Sequence, residues 1–165
     1  MNRVALLDLS FDPALDQVST TRHFVEAYCA PLVEDVDLLG RVAMATHELL
    51  ENAAKYSSRG LVRLQLDLSR EAEGQTLSVS VSNCPSVEHL AVLETNFRAM
   101  SVDNDPHLAY QALLIASTIR TDGSGLGLAR IRSEGDMAIS LVAKDGFATI
   151  TASARSVDSD RPSPR

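Results

Sequence analysis

Tryptophan is absent from this chain of 165 residues, and only four Phe and three Tyr are present, so few rings are available to stack on unpaired bases. Positive charge is scarce too. Fifteen Lys and Arg stand against 22 Asp and Glu, and a formal net charge of −7 disfavours any grip on a phosphodiester backbone. These two shortages exclude nucleic acid as the expected partner. Cysteine occurs twice, as Cys29 and Cys84, without the spacing of a zinc site or a disulfide framework. Both are expected to be reduced, buried thiols of a cytoplasmic protein, since no secretory signal is legible at the N-terminus. The histidines, at 23, 47, 89 and 107, are too scattered to suggest zinc. No apolar run approaches the roughly 20 residues that cross a bilayer, so no membrane association is expected.

What the chain does hold is His47-Glu48-Leu49-Leu50-Glu51-Asn52-Ala53-Ala54-Lys55-Tyr56-Ser57. In a helix Glu48, Asn52 and Lys55 point the same way, while Leu49, Leu50 and Ala53 supply a buried side. Asn52 can offer a carbonyl oxygen to a hard cation that keeps most of its waters, Lys55 can reach a phosphate, and Glu48 can act as a general base. The same triplet is also what an ordinary solvated helix face looks like. A second segment, Gly123-Ser124-Gly125-Leu126-Gly127-Leu128-Ala129-Arg130-Ile131, runs from a glycine-spaced turn into an apolar helical pattern. Free N–H groups at such a helix start attract phosphate. A dinucleotide fingerprint must follow a strand, yet Ala109 to Ser117 reads as helix, and no Gly-Lys-Ser/Thr is present for a P-loop. His47 reads as a pocket-edge residue without a catalytic task.

The order of these motifs resembles the GHKL superfamily of ATPases and kinases. Glu48 to Ser57 is similar to its N box, and Gly123-Ser124-Gly125-Leu126-Gly127-Leu128-Ala129 to its second glycine box, the match running from about Leu6 to about Ala154. The resemblance implies ATP and Mg²⁺ as cofactors, with Asn52 as the metal ligand and Glu48 as the base. It also implies that the phosphates are cradled by Gly123, Ser124, Gly125, Leu126 and Gly127. Within the superfamily the layout most resembles the compact SiaB-like kinases of bacterial partner switching. These share a strand ending in Asn, a helical segment like Ser86 to Leu93, an acidic break like Asp103-Asn104-Asp105, a second helix and the glycine turn. Such kinases phosphorylate a small partner protein on Ser or Thr. One departure stands out: the superfamily's Asp-x-Gly-x-Gly is missing, and Val79-Ser80-Val81-Ser82 leads instead into Asn83-Cys84-Pro85-Ser86. A carboxamide carries both an acceptor and a donor for the adenine edge, though as a neutral acceptor it binds more weakly than a carboxylate. Asn83 therefore reads either as an adenine contact or simply as a strand end.

Along the chain, Val4 to Ser10 predicts a strand and Ala14 to Ala30 a helix whose apolar positions include Leu15, Val18, Phe24, Val25 and Tyr28. A helix from about Val33 carries the N box and closes near Ser57 to Gly60, where glycine can take a left-handed conformation. Leu61 to Leu68 and Thr76 to Ser82 alternate as two antiparallel strands. A helix from Gly125 to Gly135 leads to strands at Met137–Ala143 and Phe147–Ala154, turned by Asp145-Gly146. Expected is a single domain over residues 1–155, 45% of the whole chain being apolar and 22% charged, with a polar tail at 156–165. Its architecture is an α/β (α+β) two-layer sandwich, a mixed, mostly antiparallel sheet with helices on one face, the Bergerat-type ATP-binding fold. Residues 84–122 form a lid over the nucleotide, with an apolar stripe of Val87, Leu90, Leu93, Phe97 and Met100 that docks it or receives a partner.

Two functions follow. The first is a protein Ser/Thr kinase acting on a small regulatory, anti-sigma-antagonist-like protein. The second is a nucleotide-weak interaction module that docks to a sigma factor or another regulator; the missing Asp favours it, and the retention of both Glu48 and Asn52 favours the kinase. ATP hydrolysis driving a conformational change is disfavoured, since no transducer domain is legible. A homodimer is what similar anti-sigma kinases imply.

Overall fold

A computed structural model describes residues 2–102, 105, 107, 108, 111 and 125–156. Its elements are β1 (Asn2–Phe11), α1 (Leu15–Cys29), α2 (Val36–Tyr56), β2 (Ser57–Glu71), β3 (Gly74–Pro85), α3 (Val87–Val102), α4 (Leu126–Ser133), β4 (Ala138–Lys144) and β5 (Phe147–Arg155). The strands form one sheet in the order β1-β2-β3-β5-β4. All four pairings are antiparallel. The expected two-layer α+β sandwich is the architecture observed, with no parallel pair among the described strands.

Alternation along the strands sorts the two faces. Val62, Leu64, Leu66 and Leu68 of β2, Leu77, Val79 and Val81 of β3, and Ala148, Ile150 and Ala152 of β5 are buried beneath the helices. On the open face Ser80 and Ser82 meet Thr151 and Thr149, oxygen to oxygen, at 2.8 and 2.7 Å. Asp145 and Gly146 both have positive φ, 53° and 79°, as a type I′ hairpin between β4 and β5 requires. At the other end of the sheet Ser156, the first residue of the expected tail, exchanges hydrogen bonds with Gln75; residues 157–165 lie outside those described.

Helix α2 lies over the middle of the sheet. Asp35 caps it, its Oδ1 accepting from the N–H groups of Asp37 and Leu38 at 2.9 and 3.1 Å, so the helix begins at Val36 rather than at Val33. Leu38, Val42, Ala45, Leu49 and Ala53 recur at helical spacing and are all buried. Its C-terminus differs from expectation. The helix stops at Tyr56 and β2 starts at the next residue, because Ser57 and Arg59 already pair with Pro85 and Cys84 of β3. Gly60 does take a positive φ of 73°, but inside β2, where the register to β3 shifts between Arg59 and Arg63, and it closes no helix. In α1 the buried residues are Val18, Val25 and Cys29; of the apolar positions named for this helix, Leu15 and Phe24 are exposed.

Of the expected lid, residues 84 and 85 belong to β3 and 87–102 to α3, while the helix anticipated at 109–117 lies outside the described residues apart from Gln111. Leu93, Phe97 and Met100 pack on the core, and Val87 is exposed. Most of the predicted stripe thus docks α3 on the domain. No helix among the described residues is long and apolar enough to cross a membrane.

Two outcomes follow from the packing. Leu50 is 2% exposed, so Leu50→Ala should cost about 2–5 kcal/mol in urea unfolding, the usual range for truncating a core leucine. Burial pushes the Cys29 thiol up to about 11, so native protein at pH 8 should leave Cys29 unmodified by iodoacetamide, read by peptide mass mapping, and denatured protein should not.

Candidate active site

The polar face of α2 turns away from the sheet toward the start of α4. Glu48, Glu51, Asn52, Lys55 and Tyr56 line a cleft with Gly125, Gly127 and Leu128. An adjoining cleft shares Asn52, Tyr56, Gly125 and Leu128 and extends to Asn83 and Pro85 of β3 and to His89, Leu93 and Asn96 of α3. They enclose only about 40 and 20 Å³, far below the roughly 300–1,000 Å³ of small-molecule sites, so a nucleotide would need the cleft to open. The N-box residues, Asn83 and the described glycines therefore border two adjoining clefts that meet at Asn52, Tyr56, Gly125 and Leu128. Gly123 and Ser124 lie outside the described residues.

Close contact joins the two distant segments. A methyl group added at Gly127 would meet Glu48 Oε2 at 2.5 Å, and one added at Gly125 would meet Asn96 Nδ2 at 2.9 Å. Gly125 is the N-cap of α4 with φ 96°, a left-handed conformation suited to glycine. Its carbonyl accepts from Ala129 at 3.1 Å, which starts the helix and leaves the first N–H groups of α4 without helical partners. Arg132 donates to the Met100 carbonyl and ties α4 to α3.

Charge in the cleft is arranged in pairs. Glu48, with a side chain only 11% exposed, accepts at Oε1 from Arg130 at 3.0 Å, and Arg130 Nε donates to Glu134 at 2.7 Å. These carboxylates, Glu134 foremost, hold the Arg130 guanidinium above its ordinary range. Lys55 is paired with Glu51 at 2.9 Å, one helical turn back. Asn52 is half-buried and lines the cleft together with Glu48, Glu51 and Lys55, and Asn83 is 3% exposed. Among the described residues no three His, Cys, Asp or Glu side chains cluster as a metal cage. Mg²⁺ needs none, because it binds through one or two protein oxygens, substrate phosphates and water; the oxygens of Asn52, Glu48 and Glu51 fit that chemistry.

Sequence reasoning passed over four residues at this site. Tyr56 and His89 bring their rings to 4.5 Å at a 38° tilt, with Ser86 Oγ 3.0 Å from His89 Nδ1. Tyr56 stands four residues after Asn52 and Arg130 three after Gly127, so helical spacing pointed to both. For His89 and Asn96 no such signal exists, because α3 reaches the cleft only through the tertiary fold. A wider groove at the opposite end of α2, lined by Asp35, Asp37, Arg41, Arg70 and Glu134, takes in none of the predicted site residues. There Arg70 is bonded to Glu34 at 3.0 Å and Arg41 to the Arg155 carbonyl at 3.1 Å.

No family model and no curated protein matches this chain. Among solved structures it is similar to a chain of the SiaB–SiaC complex from Pseudomonas aeruginosa, with a TM-score of 0.57 and 19% identity over 93% of this chain and 91% of that one. At that identity the likeness is one of fold.

The two glycines should respond differently to substitution. Gly125→Ala, strained by its positive φ and crowded by Asn96, should lose about 1–2 kcal/mol in thermal unfolding. Gly127 lies inside α4 and has no positive φ, so Gly127→Ala should hold or gain stability, by up to about 1 kcal/mol, while displacing the Glu48 carboxylate.

Proposed function

We propose that this chain is an ATP- and Mg²⁺-dependent protein Ser/Thr kinase of a bacterial partner-switching system, acting on a small anti-sigma-antagonist-like protein. The observation that carries the proposal is the contact of Glu48 with Gly127, which puts a carboxylate of α2 against the phosphate-attracting start of α4, with Asn52 in the same cleft. The fold shared with a chain of the SiaB–SiaC complex supports it, and a protein of SiaC's kind is the proposed acceptor. The homodimer implied by similar kinases belongs to the same proposal.

In this reading Leu126 and Gly127 offer backbone N–H groups to the phosphates, Asn52 holds the metal, and Asn83 contacts the base. Bound Mg²⁺ would neutralise phosphate charge. Glu48 accepts the proton of the acceptor's Ser or Thr hydroxyl as its oxygen bonds to the γ-phosphorus; the bond to the β–γ bridging oxygen breaks and its electrons leave with ADP. Positioning and charge account for most of the rate in phosphoryl transfer, so this small set of side chains is sufficient.

A second reading, a nucleotide-weak docking module, draws on two observations. Lys55 is committed to Glu51, and the adenine-side Asp is replaced by the neutral Asn83. Titration calorimetry with ATP and ADP, with and without Mg²⁺, separates the two. Wild-type protein should bind ATP with Mg²⁺. Asn52→Ala should abolish the Mg²⁺-dependent part, and Glu48→Gln should bind normally yet lose about 10²–10⁴-fold in transfer to a SiaC-type acceptor. Absence of heat with every nucleotide would decide for the docking module.

A further inference from the structure

We infer that Arg130 is a positioning residue for Glu48: it clamps one carboxylate oxygen so that the other faces the glycine turn where phosphate is to bind. This inference rests on the kinase reading. Glu48 has three rotatable side-chain bonds, and the Arg and Lys of its own helix are engaged elsewhere, Arg41 with the Arg155 carbonyl at 3.1 Å and Lys55 with Glu51 at 2.9 Å. Arg130 comes from α4 instead. Its terminal nitrogen is 3.0 Å from Glu48 Oε1, while Oε2 lies on the Gly127 side, 2.5 Å from where a Cβ would stand. Its Nε is held at 2.7 Å by Glu134, so the guanidinium plane is anchored at a second point before it reaches Glu48.

An ordinary surface ion pair would contribute little and orient nothing. Here the carboxylate is 11% exposed, whereas Arg130 itself is 46% exposed, which is the arrangement of a buried group steered by a partner at the rim. There is also an electrostatic reason for the pair. A triphosphate arriving at the start of α4 would repel a bare carboxylate beside it, and a cation behind Glu48 offsets that repulsion without occupying the oxygen that must take the proton. Gly127 and Arg130 are one turn apart on α4. The segment expected to hold the phosphates therefore also sets the direction of the base, and an error in one is transmitted to the other. Lysine would supply charge but not the planar fork that reaches two carboxylates at once.

The test measures Mg·ATP-dependent transfer to a SiaC-type acceptor by the full chain, comparing wild type with Arg130→Ala, Arg130→Lys, Glu48→Gln and the Arg130→Ala/Glu48→Gln double variant. Arg130→Ala should lower kcat by ~100-fold, the loss typical of misplacing a reacting group by about an ångström, with the KM for ATP changed less than about threefold. Arg130→Lys should recover part of the rate, and added ethylguanidinium should rescue Arg130→Ala but not Glu48→Gln. The double variant should be no slower than Glu48→Gln, because the two residues act as a unit. Wild-type kcat in Arg130→Ala would overturn the inference. So would a raised KM at unchanged kcat, which would make Arg130 a phosphate contact, or a double variant slower than Glu48→Gln by the full Arg130 factor. A wild-type protein that binds Mg·ATP and transfers nothing overturns the kinase reading and this role with it, an outcome distinct from transfer that is indifferent to Arg130.

Discussion

Burial of one face of α2 on the sheet is the constraint on which the site depends. Leu38, Val42, Ala45, Leu49 and Ala53 face the buried side chains of β3 and β5, and small residues on both layers, such as Ala45 and Ala152, permit close approach. An amphipathic helix with one face buried has no freedom to rotate about its axis. The opposite face, with Glu48, Asn52 and Lys55, is thereby aimed at α4. Apolar packing on one side of a helix thus sets the direction of polar chemistry on the other.

The second constraint is the tight seat of α4. Gly127 abuts Glu48 and Gly125 abuts Asn96, so a side chain at either position would displace the Glu48 carboxylate or the Asn96 amide. Arg132 on the Met100 carbonyl and Arg130 on Glu48 then add polar links along the same short helix. Four elements far apart in the chain, α2, β3, α3 and α4, meet in one hollow because α4 can approach so closely. The proposed chemistry uses these contacts directly, since the glycines that permit the approach are the ones whose backbone would face a phosphate.

At the C-terminus of α2 expectation and fold parted because of pairing between strands. Gly60 was suited to closing a helix, but strand pairing claimed the backbone from Ser57 onward, and hydrogen bonds across the sheet satisfied what a helix terminus would have left open. Leu15 and Phe24, two of the apolar positions of the first helix, stay exposed. Among the described residues, α1 buries Val18, Val25 and Cys29 on one side, and Phe24 packs on Tyr28 instead, ring centroids 6.4 Å apart. The Asp145-Gly146 hairpin was legible because its turn geometry is local and demands positive φ at both residues.

Local periodicity and turn chemistry were enough to establish the order of helices and strands, the two-layer α+β architecture, and the common face of Glu48, Asn52 and Lys55, because each depends on residues within a few positions of one another. Tertiary structure alone decided that Asn83, His89 and Asn96 border the same hollow as Tyr56, and that Arg130 reaches Glu48 from another helix. Those relations are set by how α2, α3 and α4 pack in space, and no spacing within a single segment encodes the distance between two helices.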